Sequence, residues 1–169
     1  IRYAATDKRI KGIYLDASTV KAGMATLEEL RQELVDFKKS GKFIYTYGEY
    51  FSQKGYYLAS VSDGIYINPM GGMELKGLAI NLMFYKRLLE KIGVQAEIFR
   101  PTGNKYKSAV EPFFLEKASD ANRIQLRALI DDFWTEMLQK LSQKTGLKEA
   151  ELNNIANTNP YIDVDHPYF

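Results

Sequence analysis

With one histidine and no cysteine among 169 residues, this chain has few kinds of bond-breaking chemistry open to it. The histidine, His166, lies in the closing segment His166-Pro-Tyr-Phe169 of a Pro-, Asn- and Asp-rich stretch. A Ser-His-Asp triad would have to recruit it, and a triad imidazole must be held rigidly by its acidic partner. The lack of cysteine removes a disulfide framework, a thiolate zinc site and a cysteine nucleophile, while leaving the redox compartment open. No GxGxxG follows a strand and no Walker-type loop is present, so a nucleotide site has no support. No cofactor or metal is expected. Carboxylates, hydroxyls and lysines remain. Asp131-Asp132 lies beside an apolar stripe of helical spacing and reads as a solvated face. Gly71-Gly72 could aim backbone amides at an anion, although such pairs more often make tight turns. Residues 101–107 form a loop ending Lys105-Tyr106-Lys107, and taken alone Lys107 is one surface lysine among many. Ser108-Ala-Val-Glu111 has capping-box spacing, with Ser108 capping a helix start and Glu111 returning the bond. Pro112 stiffens that turn, and Tyr106 and Phe113 read as packing residues beside it.

The elements that must position these groups follow from periodicity. A length of 169 residues suits one domain with one core. Hydrophobic residues at 46% and charged residues at 26% are ordinary for a globular protein, so disordered and fibrous classes are excluded. A formal charge of +2 is too small to call for nucleic acid or an anionic surface. Residues 1–12 read as the end of a helix closed by Gly12, and the absence of an initial Met suggests a piece of something longer. Residues 10–16 are a strand and 17–25 a loop. Leu27, Leu30, Leu34 and Phe37 mark a helix with Thr26 as its N-cap and Gly41 beyond its end. Residues 43–47 are a second strand. Gly48 then turns the chain into a helix over 51–60 whose apolar face includes Phe51, Tyr56 and Leu58, with Tyr56 and Tyr57 serving a core or an interface. Residues 64–68 are a third strand stopped by Pro69, and 73–78 a short segment. Leu82, Tyr85, Leu88, Leu89 and Ile92 mark a helix ended by Gly93, and 94–100 reads as another strand. The stripe Leu126, Leu129, Ile130, Phe133, Trp134, Met137, Leu138 and Leu141 gives the longest helix, capped by Ser119. Residues 147–155 make a last short helix. Strands alternating with helices imply an α/β fold with mainly parallel pairing. No apolar run approaches the ~20 residues that cross a bilayer.

Two stretches carry more than pattern: Tyr50-Phe-Ser-Gln-Lys-Gly-Tyr-Tyr-Leu-Ala-Ser60 and Tyr106-Lys-Ser-Ala-Val-Glu-Pro-Phe113. With Gly12-Ile-Tyr-Leu-Asp16, Ser40-Gly-Lys42 and Leu75-Lys-Gly-Leu-Ala79, in that order, they make the chain resemble the N-terminal half of the long-form bacterial signal peptide peptidase A family, also called protease IV. The resemblance covers about residues 1–150. It implies a crotonase-like, Clp-protease-like α/β domain of repeated β-β-α units over residues 1–156, with an irregular tail at 157–169. It also implies a Ser-Lys dyad split between two copies of that domain. The N-terminal copy gives the lysine, which matches Lys107 and not Lys105, with Tyr106, Ser108 and Glu111 in supporting places. The serine belongs to the C-terminal copy. By internal analogy its position falls near Gln53, which cannot attack a carbonyl, and Ser52 would point about 100° away around a helix.

A lysine can replace histidine because a neutral amine accepts the serine proton once burial lowers its pKa from about 10.4. If two domains or subunits must meet to bury it, Lys107 is expected to be largely exposed in this chain. The resemblance further implies extended apolar substrates, namely cleaved signal peptides. It places the longer protein at the periplasmic face of the bacterial inner membrane, with any anchor outside this chain. It implies contact with the C-terminal domain of the same protein and a homo-oligomer, a tetramer in the family, to which the long helix around Trp134 could contribute. Two other readings stand beside it. One is a non-catalytic scaffold for oligomerisation and peptide binding. The other is a crotonase-type acyl-thioester enzyme, for which Glu49 is the one carboxylate in a suitable stretch.

Overall fold

Gly12 opens the first strand; it does not close a helix. The computed structural model describes residues 1–101, 103–158 and 161–163. A short helix α1 (Arg2–Thr6) ends at Asp7, and the ammonium of Lys42 donates to the carbonyls of Ala4 and Asp7. Strand β1 (Gly12–Asp16) follows. A Cβ at Gly12 would lie 2.4 Å from the Phe43 ring, so close strand pairing explains this glycine.

The chain then alternates helix and strand as α2 (Met24–Lys38), β2 (Phe43–Gly48), α3 (Gln53–Ala59) and β3 (Gly64–Ile67). The three strands pair in parallel in the order β1-β2-β3, with Gly12 opposite Phe43 and Tyr45 opposite Gly64. This mixed α/β arrangement, a parallel sheet with flanking helices, is consistent with the crotonase/Clp-protease-like fold. Helix α2 starts at Met24 with Gly23 as N-cap, three residues earlier than a Thr26 cap requires. Strand β4 (Gly72–Glu74) pairs antiparallel with β5 (Tyr161–Asp163). Between α3 and β4, Gly71 donates to the Asn68 carbonyl at 2.7 Å, and an added Cβ would meet the Glu49 carbonyl oxygen at 2.0 Å. The diglycine is therefore a tight turn.

Further along come α4 (Lys86–Lys91), α5 (Glu111–Phe114), α6 (Asp120–Thr145) and α7 (Glu149–Thr158). Residues 94–100 form no strand, although their composition suits one. A strand needs a ladder partner and a covered side, yet no described residue pairs with this segment and Phe99 is 89% exposed. The stretch expected to be irregular holds the end of α7 and β5, because the edge of β4 gives residues 161–163 a ladder to join. His166 lies outside the described residues.

The chain packs as two compact units. One comprises residues 1–77 and 136–169 and holds the apolar core. Leu27, Leu34 and Phe37 come from α2, Ile44 from β2, and Tyr56, Tyr57 and Leu58 from α3. Met137, Leu138 and Leu141 come from α6, and Leu152 from α7. Each such large side chain removed from water contributes about 1.5–3 kcal/mol. Residues of β2 alternate, with Ile44 and Thr46 buried on the inner face and Phe43 and Tyr45 exposed on the other. In register with them, Tyr14 and Tyr66 extend an aromatic outer face, its rings 5.0 Å apart for Phe43–Tyr45 and 6.0 Å for Tyr45–Tyr66.

The other unit, residues 78–135, is built differently. Its fully buried described side chains are polar, Glu111 and Asn122. Tyr85 stacks on Phe113 with centroids 6.1 Å apart, and its N–H donates to the Pro112 carbonyl at 2.7 Å. The first half of α6 leaves Ile124, Leu129 and Phe133 exposed, so only the second half of its apolar stripe serves the core. Asp131 and Asp132 are solvated.

Candidate functional site

The segment around Lys107 is held by short-range backbone bonds. Lys107 N–H donates to the Asn104 carbonyl at 3.2 Å, Ser108 N–H to Tyr106 at 3.1 Å, and Glu111 N–H to Ser108 at 3.0 Å. These successive turns end in α5, where Pro112 suits the first helical turn because its missing N–H has no partner to lose there. Lys107 is exposed, as expected if a second domain or subunit is needed to bury it. It lines an open cavity of about 440 Å³ together with Phe99, Arg100, Tyr106 and Ser108. Tyr106 is 49% exposed and carries the Lys105 ammonium 5.2 Å from its ring centroid, so it belongs to this surface and is not a packing residue. Arg100 sits over the Phe114 ring at 5.6 Å.

Glu111 departs furthest from expectation. Ser108 and Glu111 form no capping box, since the N-cap of α5 is Val110, which makes no side-chain cap. The Glu111 carboxylate turns instead toward the start of α6. It accepts from Ser119 N–H at 3.1 Å, from Ser119 Oγ at 2.6 Å and from Asn122 Nδ2 at 2.9 Å. Ser119 also caps α6, its Oγ accepting from Asn122 N–H at 3.2 Å, as its place before the apolar stripe predicts. Burial resists ionisation of Glu111, but the bonds from Ser119 and Asn122 outweigh it and hold the carboxyl below the usual carboxylate range. A charge near the positive end of a helix is favourable as well. Sequence spacing gave no sign of this arrangement, because its donors lie eight and eleven residues on, across a turn. The outcome is a fixed junction: the residue that follows the Lys107 turn is tied to the start of the longest helix.

Tyr106, Lys107 and Ser108 thus share one cavity wall while Glu111 braces it from the buried side. Ser52 and Gln53 belong to the other unit. Ser52 is the N-cap of α3, its hydroxyl accepting from Gly55 N–H at 3.2 Å, so the helix begins at Gln53 and Phe51 precedes it in a β-bridge to Met73. Gln53 is buried, and both the oxygen and the nitrogen of its carboxamide bond to main chain. Oε1 accepts from Lys76 N–H at 2.9 Å and Gly77 N–H at 3.0 Å, while Nε2 donates to the Gly77 carbonyl at 3.1 Å. The position analogous to a nucleophile therefore carries a clamp. Tyr56 and Tyr57 are core residues, and their hydroxyls are pushed well above the usual phenol range, in both cases by burial first. Among the described residues no cluster of His, Cys, Asp and Glu could hold a metal ion, and no helix is long and apolar enough to cross a membrane.

The profile described as Peptidase family S49 matches residues 36–165. The chain belongs to peptidase family S49. Its relatives include Protease 4 of Salmonella typhi, 36% identical over 153 residues, which are 90% of this chain and 24% of that protein. Protease 4 of Haemophilus influenzae is 31% identical over 163 residues, 96% of this chain and 26% of that protein. The chloroplastic serine protease SPPA of Arabidopsis thaliana is 33% identical over 158 residues, 94% of this chain and 23% of that protein. The chain spans about a quarter of the length of these relatives. The S49 match contains both the Gln53 and the Lys107 segments.

Proposed function

We propose that this S49 chain is the lysine-bearing part of a serine peptidase, with Lys107 as general base and the nucleophilic serine carried by a C-terminal domain of a longer protein. The observation that carries the reading is Lys107, in the block Tyr106-Lys-Ser-Ala-Val-Glu-Pro-Phe113 within the family match, exposed on the wall of an open cavity. Such a lysine is free to be buried by a second domain. Desolvation then favours the neutral amine. That amine takes the serine hydroxyl proton as the oxygen attacks the peptide carbonyl, and it returns the proton to the departing amine, leaving an acyl-enzyme that water releases by the same exchange. Glu111 acts as a positioning residue, because its bonds to Ser119 and Asn122 fix the turn that follows Lys107.

Extended apolar peptides, of which cleaved signal peptides are one class, suit the aromatic wall formed by Phe99 and Tyr106 and can be held by strand addition to a sheet edge. The name signal peptide peptidase SppA, carried by a relative in Enterococcus faecium, favours that substrate class. We assign the longer protein to the periplasmic face of a bacterial inner membrane, as a homo-oligomer that includes its C-terminal domain. A scaffold role is the second reading, favoured by the exposed aromatic face of Tyr14, Phe43, Tyr45 and Tyr66, since parallel sheets are ordinarily covered on both sides.

Fluorophosphonate labelling with intact-mass analysis separates these readings. Labelling is expected for the longer protein, but not for this chain alone or for the longer protein with Lys107→Ala. A labelled 169-residue chain would overturn the split dyad. A Lys107→Ala protein that keeps both assembly and peptidase activity would establish the scaffold reading.

A further inference from the structure

Beyond Phe51 the chain leaves the sheet, and a side chain takes over its hydrogen bonding. Phe51 bridges Met73 in parallel: its N–H donates to the Gly72 carbonyl at 2.9 Å, and its own carbonyl accepts from Glu74 N–H at 2.9 Å. Continued two residues further, a parallel ladder would bring the Gln53 carbonyl to the N–H of Lys76. The backbone cannot supply it, because Ser52 caps α3 and Gln53 is the first helical residue. The Gln53 carboxamide supplies it instead, with Oε1 on Lys76 N–H and Gly77 N–H and Nε2 on the Gly77 carbonyl. One planar amide thus uses both its acceptor and its donor on one stretch of main chain, as a peptide bond in a neighbouring strand would. Gly77 lies in the left-handed region at φ +77°, and a Cβ added there would meet nothing within 4 Å, so the main chain is approachable at this point.

We propose that the Lys76–Gly77 main chain is a peptide-bond-binding subsite which this chain keeps closed with the Gln53 carboxamide. Its ligand is an extended peptide, whose carbonyl would accept from the two N–H groups and whose N–H would donate to the Gly77 carbonyl. With Gln53 in place, both N–H groups are paired by its carboxamide oxygen. The proposal stands independently of the role of Lys107, and its test does not involve peptidase activity.

The test uses the 169-residue chain with Gln53→Ala and acetamide, which matches the atoms the substitution deletes. Acetamide is expected to give saturable ¹⁵N–¹H shifts at Lys76 and Gly77 in the variant, in the weak range open to so small a ligand. It is expected to give none in the unmodified chain. Acetate, which cannot donate to the Gly77 carbonyl, is expected to bind less well. Equal shifts in both chains, no shifts in a folded variant, or acetate matching acetamide would each overturn the proposal. Should the variant fail to fold, the unmodified chain decides. Scalar couplings across the hydrogen bonds from Lys76 and Gly77 nitrogen to Gln53 Cδ are expected, and their absence overturns the closure by Gln53.

Discussion

Glu111→Ala removes a carboxylate that is 1% exposed and accepts three hydrogen bonds at the junction of α5 and α6. Two of its donors, Ser119 N–H and Asn122 Nδ2, have hydrogens fixed in direction, and Asn122 is 4% exposed, so neither finds water readily. Leaving each unpaired costs about 1–3 kcal/mol, whereas the Ser119 hydroxyl can turn to another acceptor. The expected loss is about 3 kcal/mol, which at this chain length corresponds to roughly 9 °C in Tm. Glu111→Gln keeps an oxygen for the two fixed donors and loses mainly the charge, so about 1 kcal/mol is expected. Urea unfolding gives the totals, and amide exchange at the first turn of α6 shows whether the loss is local to that cap. An alanine variant within about 0.5 kcal/mol of the unmodified chain, or a glutamine variant as damaged as the alanine one, would refute the reasoning. The pH dependence supplies a second check. Because the folded carboxyl lies below its ordinary value, its contribution is complete above about pH 4.3 and is lost as pH falls through the lower folded value. The gap between the unmodified and Glu111→Gln chains is therefore expected to hold from pH 7 to about 5 and to close at lower pH.

Other substitutions test the sheet and its turns. Gly71→Ala places a Cβ 2.0 Å from the Glu49 carbonyl oxygen and is expected to cost about 2–3 kcal/mol in urea unfolding, whereas Gly23→Ala, with open space around it, costs no more than about 1. Thr46→Val leaves the buried Ser62 hydroxyl without its partner and is expected to cost about 1–2 kcal/mol, with Thr46→Val/Ser62→Ala recovering most of it; a double variant as unstable as the sum would contradict the pairing. Asp63→Asn loses the Lys38 ion pair at 2.8 Å and weakens the bond to Ile44 N–H at 2.8 Å, for about 1 kcal/mol after solvent screening. The Lys38 bond, first, and that from Ile44 hold the Asp63 carboxyl below its ordinary value. The difference is therefore present at neutral pH and disappears as pH falls through the folded value, and thermal melts at pH 7 and pH 3 should show it.

The order of elements was legible in the residues themselves. Leu27, Leu34 and Phe37 announce α2, residues 43–47 announce β2, and Ser119 announces the start of α6, because each pattern reports one element's own buried face or cap. The resemblance carried by Tyr106–Phe113 pointed to the S49 family for a similar reason, since it needs only residues adjacent in sequence. Gly12 and residues 94–100 were misleading, because helix termination and strand formation depend on what lies opposite: Phe43 in the first case, and no described ladder partner in the second. The roles of Glu111 and Gln53 belong wholly to tertiary structure. Ser108 and Glu111 have the spacing of a local cap, but burial against α6 offers the carboxylate three donors at once, more than one capping bond can match. Gln53 reads as a failed nucleophile in sequence and becomes a clamp only because the β4 extension lies across the start of α3. Periodicity determines which side of an element turns inward, while the partner a polar group finds there depends on which elements meet, and only the folded chain decides that.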